Sequence, residues 1–324
     1  MNGNIIDTVG KTPLVKLQKI NPYKNVEIWV KLEFMNPSGS IKDRIVKYII
    51  EDAEKNGLLK PGGTIVENTS GNTGAAAAMM GAIKGYKVIL TMPDKVSIEK
   101  QNALKAFGAQ VVVTPTSAAP DSPDHYVNTA IRIANETPNS FRINQYDNPK
   151  NPLAQYLSTG PEIWEQTNGK VTHFVASGST GGTISGISKY LKEKNPKVFS
   201  FMADPFGSIY YDYFKTGEIR HDGSCSYQVE GVGEDHINQA MDFKMVDDMI
   251  QFNDDNAFTT ARMLAREEGI IGGGTGGANV WAALQLASTL TEPAVIVTVI
   301  PDNGAKYLSK FYNDEWMKAN NYKL

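Results

Sequence analysis

The sequence predicts an α/β protein of two domains, with parallel-type sheets covered by helices. Three observations point there. Short β-branched runs bounded by glycine, proline or polar residues alternate with segments of helical periodicity. Several of these runs are apolar throughout, as strands buried on both faces must be. A chain of 324 residues with 41% hydrophobic content is also longer than one core usually serves.

In chain order, the glycine-serine turn of NPSGSIKDR (36–44) runs into a helix starting near Lys42. TIVE (64–67) is a strand, followed by the polar loop ENTSGNTG (67–74) and by AAAAMMGAIKG (75–85), a set of helix formers ended by glycine. KVILT (87–91) and QVVVT (110–114) are further strands, and Val127, Ala130, Ile131 and Ala134 fall on one helical face. THFVAS (172–177), FSFMAD (199–204) and AVIVTVI (294–300) complete the clear strands, with SGSTGGTISG (177–186) opening a helix after the first of them. No internal repeat or low-complexity linker interrupts this order. The domain crossings are therefore expected at the turn before Lys42 and at NQYDNPKNP (144–152), giving one domain from 1–43 with 145–324 and a smaller, mobile one from 44–144.

Composition excludes several function classes. A formal net charge of −3, with no dense Lys/Arg run, provides no footprint for nucleic acid and directs attention to small-molecule partners. The single cysteine, Cys225, rules out an internal disulfide framework and a cysteine-rich metal site. His125, His173, His221 and His236 form no pair at ligand spacing, so no protein metal site is expected. MNGNIIDTVGKTPLV lacks the basic start and apolar run of a secretory leader, and no stretch approaches the roughly 20 apolar residues of a membrane span. The expectation is a cytoplasmic protein away from the membrane.

Three polar loops carry the candidate chemistry. In ENTSGNTG, the residues Thr69, Ser70, Asn72 and Thr73 place side-chain donors where a helix start already offers free N–H groups. A helix cap also favours such residues, but this many donors exceed what a cap needs. In SGSTGGTISG, glycines let an anion approach the backbone while Ser179, Thr180 and Thr183 donate to it. The spacing is neither a dinucleotide fingerprint nor a P-loop, which points to a compact phosphorylated cofactor. In GIIGGGTGGAN (269–279), Thr275 stands alone between glycines; a flexible turn and close approach to a flat ring are both compatible with it.

NPSGSIKDR, ENTSGNTG, NQYDNP, SGSTGGT and the GGGTGG loop together resemble the fold-type II pyridoxal-phosphate enzymes of the cysteine synthase and cystathionine β-synthase group, whose fold is that of the tryptophan synthase β chain. The resemblance covers essentially the whole chain. Within the group, IEDAEKNGLLKPG (50–62), EKQNALKAFGAQVVVTPT (99–116), DPFGS (204–208), QVEGVG (228–233) and AFTTARMLAREEG (257–269) are most similar to the catalytic core of the cystathionine β-synthases, and Tyr146 stands where cysteine synthases more often have phenylalanine.

The resemblance implies roles. Lys42 matches the lysine that forms a Schiff base with pyridoxal 5'-phosphate. A helix start disfavours an ammonium by about 0.3–1 kcal/mol at an exposed site, and burial adds to that, so a lowered pKa and a reactive neutral amine are expected there. Gly178, Ser179, Thr180, Gly181 and Thr183 are implied to bind the cofactor phosphate, Asn72 its ring oxygen, and Thr275 to face its pyridine nitrogen. Thr69, Ser70, Thr73 and Gln145 are implied to hold the carboxylate of the amino-acid substrate, with Tyr146, Gly231 and Glu234 also lining the substrate site. The larger domain would bind the cofactor. The implied activity is β-replacement on serine or an activated serine, with homocysteine as the thiol and cystathionine as product. Formation of cysteine from O-acetylserine and sulfide, or release of hydrogen sulfide from cysteine, are the neighbouring alternatives; a nucleotide-binding or catalytically silent module is the alternative of a different class. A homodimer is the expected assembly.

The pattern departs from the group in one prominent place. Glu234, Asp235 and His236 follow Gly233, where related cystathionine β-synthases usually carry a tyrosine first. An acidic pair could attract a cationic group, repel a carboxylate or form a solvated turn. The chain opens close to its first motif and ends at Leu324, so neither haem nor adenosyl-ligand regulation is implied.

Overall fold

The computed structural model describes residues 3–69, 71–219 and 226–324; Ser70, His221 and Cys225 lie outside the described residues. The chain forms two compact units, one of Met1–Val9 with Asn36–Lys150 and one of Gly10–Met35 with Asn151–Leu324. These divisions fall several residues from the crossings expected at 43/44 and 144/145. At the first crossing the reason is local. Gly39 N–H donates to Asn36 O (2.8 Å) and Ser38 N–H to Asp43 Oδ2 (2.7 Å), tying the turn to the helix that follows it. Lys42 therefore belongs to the first unit. At the second, Lys150 Nζ reaches Asp52 Oδ1 (2.9 Å) and stays with the first unit as well.

The strands in chain order are β1 (Leu14–Lys16), β2 (Val26–Leu32), β3 (Thr64–Asn68), β4 (Lys87–Pro93), β5 (Gln110–Thr114), β6 (Ser140–Arg142), β7 (His173–Ser177), β8 (Phe199–Pro205), β9 (Asp248–Phe252) and β10 (Ala294–Ile300). The first unit holds the helices α1 (Lys42–Lys55), α2 (Asn72–Lys84), α3 (Ile98–Ala106) and α4 (Tyr126–Glu136). From Lys150 onward come α5 (Lys150–Leu157), α6 (Thr159–Gln166), α7 (Gly182–Lys194), α8 (Tyr210–Thr216), α9 (Asp254–Met263), α10 (Gly274–Thr289) and α11 (Asp314–Ala319). Among the described residues, no helix is long and apolar enough to cross a membrane.

The first unit is built on a parallel sheet of order β5-β4-β3-β6, with Thr64 opposite both Lys87 and Ser140. Strand β3 is buried along its whole length. Helix α1 buries Ile45, Val46, Ile49, Ile50 and Ala53 on one side, and α2 buries Ala76, Ala77, Ala78, Met79 and Met80; they meet Ile65, Leu90 and Met92 in one core. Each such isoleucine contributes about 1.5–3 kcal/mol by leaving water.

The second unit has the order β1-β2-β10-β7-β8-β9, parallel except where the edge strand β1 runs antiparallel to β2. Its strands serve two cores, one on each face. Ile296 and Ile300 of β10 pack with Val175 of β7 on the face covered by α9 and α10, while Val297 and Val299 pack with Phe174 and Ala176 on the face of α7. This two-sided burial is what the uninterrupted apolar run AVIVTVI predicts. Polar loops at the carboxyl ends of β3 and β7 then lead into α2 and α7.

Candidate active site

In the first unit, the chain turns at Gly39, whose φ of +86° is open to glycine at little cost, and enters α1 with Lys42 as the first helical residue. Lys42 N–H donates to Ser40 Oγ (3.3 Å), and its side chain is half-buried. Asp43 is fully buried and accepts from both the N–H and the hydroxyl of Ser38. A carboxylate in the first helical turn suits the positive end of the helix, and here it locks the turn that delivers Lys42.

The loop after β3 is joined to the segment after β6. Thr69 N–H donates to Thr91 O (3.0 Å) and its hydroxyl accepts from Gly71 N–H (3.3 Å); Asn72 is the first residue of α2. Thr73 Oγ1 donates to Gln145 Oε1 at 2.6 Å. That bond assigns the amide oxygen of Gln145 to Thr73. Tyr146 follows, half-buried. Ser70, expected beside Thr69, lies outside the described residues.

Glu67 holds this arrangement from beneath, a role not read from the sequence. Asn144 adopts φ +51°, and this left-handed residue turns two successive amides toward one carboxyl: Asn144 N–H to Glu67 Oε2 (2.8 Å) and Gln145 N–H to Glu67 Oε1 (3.3 Å). Glu67 is 0% exposed, and burial pushes its carboxyl up to about 7 against the opposing pull of those two amides. The signal available was one acid ending an otherwise apolar strand.

In the second unit, the loop between β7 and α7 is fixed on several sides. Ser177 donates through N–H and Oγ to Asn279 Oδ1 (2.7 and 2.8 Å), and Gly233 N–H donates to Gly178 O (2.7 Å). Tyr210 Oη and Asn238 Nδ2 both donate to Ser179 O (2.7 and 3.0 Å). Asn151 Nδ2 donates to Thr180 Oγ1 (3.0 Å), so the Thr180 hydroxyl proton is turned away from Asn151. Gly181 has φ +83°, and a Cβ there would sit 2.5 Å from the Cβ of Met241; glycine is required on both counts. Thr183 is half-buried in the first turn of α7.

This loop fits a phosphate. The first intrahelical bond of α7 is Ser185 N–H to Gly181 O, so the preceding amides have no partner within the helix. The first turn of α7 carries no acid, and three hydroxyls accompany these amides. Such a donor set, at the positive end of a thirteen-residue helix, suits an anion with several oxygens.

Thr275 lies in the first turn of α10 and is 9% exposed. Its hydroxyl donates to Glu230 O at 2.7 Å, next to Gly231, which has φ +80°. Glu234, expected to line the substrate site, accepts from Ser179 Oγ at 2.6 Å; burial, ahead of all other influences, raises its pKa.

Comparison with known proteins agrees with this chemistry. A family model described as pyridoxal-phosphate dependent enzyme matches residues 5–302. The chain is 43% identical over 321 residues to a cystathionine beta-synthase of Apis mellifera, covering 98% of this chain and 63% of that protein. It is 38% identical over 333 residues to a cysteine synthase of Dictyostelium discoideum, covering 100% of this chain and 88% of that protein. A crystal structure of an O-ureido-L-serine synthase superposes with a TM-score of 0.87 at 33% identity, covering 98% of this chain and 99% of that one. The chain thus spans less than two thirds of the first of these relatives and nearly all of the other two. It belongs to the family of pyridoxal-phosphate dependent enzymes.

Proposed function

We propose that the protein catalyses β-replacement on serine or an activated serine, joining homocysteine to give cystathionine. The observation that carries the reading is the Thr73–Gln145 bond, which sets two polar side chains side by side at the start of α2, in the same unit as a lysine opening a helix. The choice of thiol is supported by the higher identity to the cystathionine beta-synthase than to the cysteine synthase, 43% against 38%. Cysteine synthase activity is the second reading, favoured by the chain matching 88% of that relative's length. Release of hydrogen sulfide from cysteine is a variant of the same chemistry.

Gly178, Ser179, Thr180, Gly181 and Thr183 hold the cofactor phosphate, Asn72 the ring oxygen and Thr275 the ring-nitrogen side. Bound pyridoxal phosphate supplies an aldehyde that links to amines and a ring that withdraws electrons from the carbon beside them. Lys42 Nζ would hold the cofactor aldehyde and, as a free amine, would take the proton from the substrate α-carbon and later return it. Thr69, Ser70, Thr73 and Gln145 orient the substrate carboxylate, which fixes the α-carbon against that base. Tyr146 and Gly231 line the approach of the second substrate. Thr275 offers a hydroxyl rather than a carboxylate and would not hold a proton on the ring nitrogen as a carboxylate would, which favours prompt departure of the β-substituent. A cytoplasmic homodimer, as the family resemblance implies, completes the reading.

The test is product analysis. Holoenzyme is incubated with serine, O-acetylserine or cysteine, each with homocysteine or sulfide. Cystathionine is expected from homocysteine; cysteine formation with sulfide alone selects the second reading, and no cystathionine from any donor rejects the first.

A further inference from the structure

Glu234 is the residue by which this chain departs from the pattern it otherwise follows, and its surroundings give it a defined task. It sits directly after Gly233, whose N–H is bonded to Gly178 O of the loop between β7 and α7. Its backbone is pinned: Glu234 N–H donates to Ser208 Oγ (3.1 Å) and Ile209 N–H donates to Glu234 O (3.0 Å). The side chain turns inward onto the loop, only 11% exposed, and takes the hydroxyl proton of Ser179 at 2.6 Å. Ser179 has one hydroxyl proton, and a hydroxyl that donates to a carboxylate cannot also donate to a phosphate oxygen.

We infer that Glu234 is a positioning residue of the phosphate loop that makes cofactor affinity depend on protonation of its own carboxyl. This rests on the assignment of the 178–183 loop to the cofactor phosphate. Ionised, Glu234 holds the Ser179 proton and places a negative charge beside the phosphate. Protonated, it becomes a donor toward Ser179 Oγ, the Ser179 proton turns to the phosphate, and the like-charge repulsion disappears. Phosphate binding and proton uptake by Glu234 therefore favour each other.

The groups facing Glu234 set the direction. Asp204 at the end of β8, itself pushed up to about 7 by burial, and Asp235 oppose a further negative charge. Tyr210 and Tyr227, both neutral, have their ionisation opposed by Glu234. Asn238 hydrogen-bonds to Glu234 and to Tyr210 Oη, bracing the same face. His236 Nδ1 lies 3.9 Å from Glu234 Oε2 and 2.7 Å from Asp235 Oδ1; it is the cation of the group when protonated. Burial is the largest influence on Glu234 and favours its neutral form.

Pyridoxine 5'-phosphate tests this without amine chemistry, since it carries the phosphate and no aldehyde. The chain, stripped of cofactor, is titrated with it by tryptophan fluorescence between about pH 5.5 and pH 8.5, for wild type, Glu234→Gln and Glu234→Asp. The phosphate's own titration near pH 6 is common to all three and cancels in ratios. The ratio of wild-type to Glu234→Gln dissociation constants is expected near one at the acid end and to rise to about tenfold at the alkaline end, the factor that one pKa unit of coupling provides. Glu234→Asp, which keeps the charge, is expected to follow wild type. Glutamine retains an acceptor for Ser179, and thermal melts check that the fold is kept. Ser179→Ala gives an independent reading: it should weaken binding more at acid than at alkaline pH. A ratio constant across the range overturns the inference while leaving the cofactor assignment intact; failure of every variant to bind either this compound or pyridoxal phosphate overturns both.

Discussion

Replacing Glu67 by glutamine isolates a buried charge that never needs to touch a substrate. The wild-type carboxyl is expected to titrate near 7 in the folded protein against an ordinary value of 4.5. Its charged form is therefore the unfavourable one when folded. Between pH 4.5 and 7 the unfolded chain has released this proton and the folded chain has kept it, so stability falls as pH rises through that window. A difference of about 2.5 units at 1.36 kcal/mol each amounts to about 3 kcal/mol lost, as an order of magnitude. Glutamine does not titrate, so that pH dependence disappears. The substitution has its own constant cost: one amide donor now faces Asn144 N–H or Gln145 N–H, leaving a buried group unmet at about 1–3 kcal/mol. Urea unfolding of both proteins at several pH values between 5 and 8 reads the two effects separately. Glu67→Gln should be less stable than wild type at the acid end, with the gap narrowing or reversing toward pH 8. Because Gln145 is then less firmly held, the KM for the amino acid should rise more than kcat falls. Parallel stability curves for the two proteins would refute the account of Glu67.

The remaining expectations concern single contacts. Lys42→Ala should show no borohydride-trapped cofactor adduct at position 42 and lose at least about 100- to 10,000-fold in turnover, as measured by peptide mapping and steady-state kinetics. Thr73→Val keeps the shape but removes the bond to Gln145, so the KM for the amino acid should rise about two- to twelvefold, corresponding to about 0.5–1.5 kcal/mol, and urea melts should show about 1–3 kcal/mol lost through the buried amide oxygen left without that donor. Gly181→Ala forces a side chain into a left-handed position against Met241; a destabilisation of about 1–3 kcal/mol is expected in urea melts, together with weaker binding of pyridoxal phosphate.

Six strands were legible because their apolar runs are continuous, and that continuity is what burial between two helical layers requires. Four were not, for separate reasons. VEIWVKL, which forms β2, carries Glu27 and Lys31 among its apolar residues and reads as a polar surface, yet Lys31 is fully buried and bonded to Glu162 Oε2 (2.6 Å), Gln166 and Thr12 O. Those partners lie far off in sequence, so no local pattern could announce them. β1 and β6 are three residues each, too short for periodicity, and β9 mixes Asp248 and Gln251 with its apolar residues. At the site, the donor loops and Lys42 were visible as motifs because their chemistry is local. Glu67, Asn151 and Asn279 were not, since each acts on a backbone or hydroxyl remote in the chain. Glu234 stood out as a departure, but its attachment to Ser179 is a property of the fold alone.

The register of β2 has a consequence for how the molecule is made. Val26 pairs with Ala294 and Leu32 with Ile300, so a strand near the amino terminus waits for one near the carboxyl terminus before its side of the sheet closes. The residues from 36 to 150, by contrast, contain every strand of their own sheet and emerge together. On the ribosome the inner unit can therefore be complete while the outer one still has an open edge, which lengthens the interval in which β2 must avoid other partners. Lys31, one residue from the end of that strand and costly to pair wrongly, guards it during the wait.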